Sequence, residues 1–199
     1  MKTLSTIPFD EHFKIETARL LLRPFMLDDL DEFALICSDP EVMRYIGQGD
    51  TLDKETVKER MISWISAYKE NDFGLLALIL KENNKLLGFC GLIKQMVDGE
   101  PYIELGYRLA QNFWGQGVAT EAAKAIRDYA FNQLGVPYLI SIIHVDNTAS
   151  KRVANKIGMN LMKQTDYNGV LADIFYMKST RALSPRRSLV KNKVIQDDK

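Results

Sequence analysis

Three strand-like runs, 74–81, 85–95 and 102–109, lead directly into a glycine-bearing loop and an Ala-rich helix. Glu82-Asn83-Asn84 turns the chain between the first two runs, and Asp98-Gly99 is a strong hairpin signal before the third. Strands joined by turns this short pair as an antiparallel meander. The stretch Tyr107-Arg108-Leu109-Ala110-Gln111-Asn112-Phe113-Trp114-Gly115-Gln116-Gly117-Val118-Ala119-Thr120-Glu121-Ala122 then runs from the last strand into a helix. The first N–H groups of a helix lack internal partners and carry the positive end of its dipole. Gly115, Gly117 and small Ala119 remove side chains that would block close approach, so the loop suits a pyrophosphate. A tight turn without a ligand is the plainer reading of such a loop. No Gly-Lys-Ser/Thr follows, so this is not a Walker-type loop. No Gly-x-Gly-x-x-Gly stands at a first βα turn, which weakens a dinucleotide site.

The remaining periodicity extends the order on both sides. Residues 17–25 read as a strand stopped by Pro24. Asp28-Asp29 are expected to cap a helix reaching Cys37, and Asp39-Pro40-Glu41 to start a short helical piece. Thr51 to Lys69 is an amphipathic helix, with Val57, Met61, Trp64, Ile65 and Tyr68 at three- and four-residue spacing. Trp64, Tyr68 and Phe73 are read as core. After helix 117–133 come a β-rich run 137–145, helix 148–157, and strands near 159–166 and 170–178 joined through Tyr167-Asn168-Gly169. The fold class is α+β: about seven strands in a mixed, mostly antiparallel sheet covered by helices.

Composition removes several functions. Lys plus Arg and Asp plus Glu both count 26, so the chain has no overall basic footprint for nucleic acid. The longest apolar run, Leu75 to Leu80, is too short to span a bilayer, and the first residues have no signal-peptide core. Cys37 and Cys90 form neither a disulfide framework nor a metal cluster, and a cytoplasmic location follows. No His/Cys/Asp/Glu group has metal-ligand spacing, so no metal is expected. His12 falls in an N-terminal extension, 1–14. The 179–199 end is read as a basic tail: from Arg181 it carries six basic residues against two acidic.

A second segment accompanies the loop. Run 137–145 passes through His144-Val145-Asp146-Asn147 into Thr148-Ala149-Ser150-Lys151-Arg152-Val153-Ala154-Asn155-Lys156-Ile157-Gly158. Asn147 is an N-cap by position, and Ser150 lies one turn later. His144, near a strand end, reads as structural.

On these residues the chain resembles the GNAT superfamily of acetyl-CoA-dependent N-acetyltransferases. Trp114-Gly-Gln-Gly-Val-Ala119-Thr-Glu-Ala looks like its acetyl-CoA motif. Asn147-x-x-Ser150 with Lys156-Ile-Gly158-Met resembles its second motif. Thr17-Ala-Arg-Leu-x-Leu-Arg23-Pro with Asp39-Pro-Glu-Val resembles the branch that includes ribosomal-protein alanine N-acetyltransferases. The resemblance covers about residues 15–178 and departs at Trp114, where the superfamily often has Gln or Arg. It implies an enzyme that moves acetyl from acetyl-CoA to a primary amine, on a small molecule or a protein N-terminus, in a ternary complex. It implies that strands 102–109 and 137–145 are parallel and splayed. The cofactor would lie along the backbone of Tyr107 and Leu109, with the pyrophosphate on Gly115, Gln116, Gly117, Val118, Ala119 and Thr120, beside Trp114. Glu104 becomes the candidate base, with a solvent-facing strand carboxylate as the plain alternative. Ser150 becomes the candidate proton donor to the thiolate, with positioning or a helix-surface hydroxyl as alternatives. Asn147 would hold the pantetheine or serve only as a cap. No membrane partner is implied, and a monomer and a homodimer are both open. A non-catalytic acyl-CoA-binding module and an unrelated phosphate binder remain as alternatives to the enzyme.

Overall fold

The computed structural model describes residues 13–71 and 73–180. The expected N-terminal extension, His12 included, and the basic tail therefore lie almost wholly outside the described residues. Eight strands form one sheet in the order β1-β2-β3-β4-β5-β6-β8-β7. They are β1 (Ile15–Glu16), β2 (Leu20–Pro24), β3 (Leu75–Leu80), β4 (Lys85–Val97), β5 (Glu100–Leu109), β6 (Tyr138–His144), β7 (Asn160–Tyr167) and β8 (Val170–Lys178). Every neighbouring pair is antiparallel except β5 and β6, which are parallel. The extra strand over the expected seven is β1; two residues are too few to show an alternating pattern.

Among the described residues five helices flank the sheet: α1 (Leu30–Cys37), α2 (Pro40–Met43), α3 (Lys54–Asn71), α4 (Val118–Asn132) and α5 (Thr148–Lys156). The two faces carry separate cores. On one, Val118, Ala122, Ala123, Ile126 and Ala130 of α4 bury against Leu105 and Leu109 of β5, with Ala154 of α5. On the other, Phe33, Cys37, Val42, Met43, Val57 and Met61 pack on Ala77, Ile79 and Phe89 of β3 and β4. Tyr68 and Phe73 belong to the first core and Trp64 packs on the second, as their spacing suggests. Strand alternation divides β5 accordingly: Leu105, Tyr107 and Leu109 face α4 and α5, while Glu104 and Arg108 face the opposite side.

Local chemistry explains most boundaries. Asp39 accepts the Glu41 N–H at 2.9 Å and begins α2 with Pro40 in the first helical position. Asp53 accepts the Thr56 N–H at 2.7 Å, which starts α3 three residues later than the periodicity alone suggests. The Asp28-Asp29 cap expected for α1 is not formed. A 3-10 turn, Leu27–Asp29, precedes the helix, and neither aspartate caps α1 through its side chain. Asp29 instead accepts the Met26 N–H at 2.8 Å and pairs both oxygens with Arg23 at 2.7 Å. A bidentate charged partner outcompetes a cap.

Candidate active site

The site forms where β5 and β6 separate. Their register contains a single pair, Glu104 with Ile140. One residue further, the Ser141 hydroxyl donates to the Leu105 carbonyl at 2.7 Å. Beyond it β5 continues while β6 turns away. The Ala110 N–H donates to Leu87 on β4 at 2.8 Å. By the alternation of a strand, the N–H and C=O groups of Tyr107 and Leu109 then face the opposite edge, toward the gap. The Trp114 indole N–H takes the Leu109 carbonyl at 2.9 Å, so that carbonyl is already engaged by the chain itself. No residue of β6 stands in register with Tyr107, so that edge of its backbone lies outside the sheet ladder.

The gap opens into a cleft of about 260 Å³. Tyr107 and Leu109 line it with Trp114, Gly115, Gly117, Val118, Ala119 and Thr120, and Asn147, Ser150 and Val153 come from the other side. Glu41, Val42, Tyr45, Ile46 and Arg108 also contribute to its wall. Ten of the twelve residues singled out from the sequence thus share one cleft. Gln116 does not line it: its side-chain amide donates back to Asn112 at 2.8 Å and its carbonyl accepts from Arg19 at 3.1 Å. Glu104 sits at the fork rather than on the cleft wall.

Helix α4 begins with an anion-binding geometry. Gly117 is the N-cap with φ 77°, in the left-handed region where a Cβ is disfavoured. It offers no side-chain cap, and the first helical bond runs from the Glu121 N–H to the Gly117 carbonyl. The N–H groups of Val118, Ala119 and Thr120 have no acceptor among the described residues. These donors, a dipole end and a glycine at the mouth are what a diphosphate requires, so the residues present fit CoA.

The loop is fastened by a clamp that the sequence reading missed. Glu121 accepts from the Thr17 hydroxyl at 2.5 Å, the Arg19 N–H at 3.0 Å and the Arg19 Nε at 2.7 Å. Arg19 also holds the Gln116 carbonyl. Burial pushes the Glu121 carboxyl up, but bonds from Thr17 and Arg19 hold it below the usual carboxylate range. Thr17-x-Arg19 and Glu121 were each part of a recognised pattern; a separation of about a hundred residues concealed their pairing.

Around the fork, burial pushes the Glu104 carboxyl up. Gln95 donates to it at 2.8 Å, the Ile142 N–H lies at 3.4 Å, and the Tyr167 hydroxyl donates to Gln95 at 2.7 Å. On the other face, the Tyr107 hydroxyl donates to the Ser150 carbonyl at 3.1 Å, and burial pushes this phenol well above its ordinary value. Asn147 is the cap of α5, accepting the Ser150 N–H at 3.0 Å. That bond uses Oδ1 and leaves its amide donors for the cleft. His144 accepts the Asp146 N–H through Nδ1 at 3.1 Å and its ring lies 5.2 Å from that of Tyr45.

Residues 19–160 match the family model described as an acetyltransferase (GNAT) domain. The chain belongs to the GNAT acetyltransferases. The uncharacterized protein YkkB of Bacillus subtilis (strain 168) is 36% identical to this acetyltransferase over 155 residues, spanning 75% of this chain and 87% of YkkB. The uncharacterized N-acetyltransferase p20 of Bacillus licheniformis is 33% identical over 144 residues, spanning 71% and 79%. Among solved structures, RimL, a ribosomal L7/L12 alpha-N-protein acetyltransferase in complex with coenzyme A, superposes with a TM-score of 0.72. At 15% identity over 83% of this chain and 98% of RimL, it shares the fold. Among the described residues no helix is long and apolar enough to cross a membrane, and no three His, Cys, Asp or Glu side chains gather as a metal site.

Proposed function

We propose that this acetyltransferase moves acetyl from acetyl-CoA to a primary amine by direct attack in a ternary complex. The observation that carries the reading is one cleft lined by Tyr107, where β5 has no register partner on β6, and by the N–H groups of Val118 to Thr120, which have no acceptor among the described residues. Bound acetyl-CoA supplies the activated acyl group. The N–H groups of Val118, Ala119 and Thr120 hold its pyrophosphate, and the Tyr107 backbone pairs with the pantetheine as a strand would. Leu109 offers its N–H in this arrangement, while Trp114 occupies its carbonyl. The solved complex of RimL with coenzyme A supports this choice of ligand for the fold.

In the reaction the amine nitrogen bonds to the acetyl carbon and the C–S bond breaks. Glu104 takes the amine's proton, directly or through a water; burial raises its pKa and makes its ionised form a stronger base than an exposed carboxylate. The Tyr107 N–H steadies the carbonyl oxygen as charge grows on it. Ser150, across the cleft, delivers a proton to the departing thiolate or positions the group that does. The acceptor is a small-molecule amine or a protein N-terminus, and the protein works in the cytoplasm.

The test combines calorimetry of acetyl-CoA binding with CoA-thiol release over a panel of amines and N-terminal peptides. Binding with release for at least one acceptor is expected. Binding without release from any acceptor would favour a non-catalytic acyl-CoA module. A CoA complex whose diphosphate rests away from Val118 to Thr120 would overturn the cofactor placement.

A further inference from the structure

The most conspicuous unexplained group is Arg108. Its side chain leaves β5 on the face away from α4 and α5, and the residue is only 7% exposed. An arginine keeps its proton in proteins, so this is a buried positive charge. A buried charge costs several kcal/mol unless a partner offsets it. Arg23, by contrast, is met by both oxygens of Asp29.

Arg108 has no such partner. Its Nη1 donates to the Cys37 sulfur at 3.2 Å. Burial pushes that thiol up, which keeps it neutral. The guanidinium carbon lies 5.3 Å from the centre of the Phe89 ring, a contact with a π face rather than an anion. Nε is enclosed without any hydrogen-bond partner, and Nη2 is neither bonded nor enclosed among the described residues. Glu41, the one carboxylate on the cleft wall, lies 3.8 Å from Arg44 and is more than half exposed. No carboxylate among the described residues pairs with Arg108.

Arg108 nevertheless belongs to the cleft wall, on the strand that carries Glu104 and the Tyr107 amide. Buried polar groups left without partners are uncommon in native proteins, and one on the wall of a cleft is placed to meet a ligand. We propose that Arg108 binds a carboxylate carried by the amine acceptor, so that the substrate is an amino acid or a similar amino carboxylate. This rests on the acetyl-transfer reading above and narrows its acceptor. A planar guanidinium fits a planar carboxylate, and the carboxylate supplies the charge that the fold leaves out. Binding through it would turn the amine of a small zwitterion toward the Glu104 end of β5. A peptide N-terminus carries an amide where an amino acid carries its carboxylate and gains nothing from this contact unless an acidic side chain follows.

The experiment compares acetyl transfer to amino acids, including ω-amino acids of increasing length, with transfer to their carboxamides and decarboxylated amines. For at least one matched set the carboxylate member should have a kcat/KM about tenfold or more above its neutral partners, the scale of a charge-assisted hydrogen bond. In Arg108→Gln that ratio should collapse toward one, while Arg108→Lys should retain part of it. Calorimetric affinity for acetyl-CoA reports separately on the cofactor site and should stay within about twofold in both variants. Equal turnover of carboxylates and carboxamides by the unaltered protein overturns the proposal and leaves acetyl transfer standing. If no amine is acetylated, calorimetry of the amino acids against the CoA-loaded protein decides: affinity lost in Arg108→Gln and partly kept in Arg108→Lys supports the carboxylate site, and no affinity, or affinity unchanged in Arg108→Gln, overturns it. Should both variants fail to fold, the matched sets on the unaltered protein still decide between a carboxylate-selective acceptor site and an indifferent one.

Discussion

As the proposed base, Glu104 carries two opposed demands. A base must hold no proton at working pH, yet burial raises this carboxyl and so favours the protonated form. Gln95 and the Ile142 N–H work the other way, because both donate to the ionised oxygen. Glu104→Gln keeps the shape and removes the base, so kcat should fall about 100-fold with acetyl-CoA affinity nearly intact. In the unaltered enzyme kcat/KM should fall as pH drops through the raised pKa, and that acid limb should vanish in the variant. The stability effect has the opposite sense. A folded-state pKa above the unfolded one means that the native state binds the proton more tightly. Stability is therefore fullest below the unfolded pKa and declines as pH rises through the folded value. Glu104→Gln should be the more stable protein at neutral pH and lose that advantage in acid, as urea unfolding at both conditions will register. Unchanged turnover would place the base elsewhere.

At the scale of elements, the loop before α4 depends on the turn between β1 and β2 as much as on its own glycines. Thr17 and Arg19 converge on one carboxylate in the first turn of α4, and Arg19 reaches on to the Gln116 carbonyl. Glu121→Ala should cost about 1–2 kcal/mol in chemical denaturation, allowing for the partial exposure of Arg19. It should also weaken acetyl-CoA binding severalfold by loosening Gly117, measured by calorimetry. An affinity equal to the unaltered protein's would show that the loop holds its shape alone. A close approach on β4 is equally local: a Cβ at Gly88 would lie 1.9 Å from the Arg108 carbonyl, so only glycine lets β4 and β5 meet there. Elements of this kind were legible where one segment holds its whole signal. The loop 115–120, the cap at Asn147 and the Asn168-Gly169 turn needed only neighbours in sequence. The α1 cap was misread because Asp29 chose Arg23, a partner on another element. Arg108 escaped for the same reason: nothing around it in sequence tells that its guanidinium is buried beside Cys37 and without an anion.

For the whole molecule, the deciding feature is a sheet left unfinished. The antiparallel meander β2 to β5 and the β6-β8-β7 group are each paired along most of their length, yet they join through a single register pair. The sequence announced the two groups through their turns, but the splay itself depends on where Ser141 pins Leu105 and on β6 ending at His144. A ligand that enters the gap adds the hydrogen bonds the fold lacks and should tie the halves together. Acetyl-CoA at a hundredfold over its Kd should therefore stabilise the protein by about 2.7 kcal/mol. In a domain of this size that corresponds to roughly 5–10 °C in Tm. Hydrogen exchange should slow most at the amides of Tyr107, Val118, Ala119 and Thr120. Gly117→Glu sets a side chain at a left-handed φ and a negative charge at the helix start, the proposed seat of the diphosphate. It should abolish both the thermal shift and the added protection. Retention of either would mean that the diphosphate is held by something other than the start of α4.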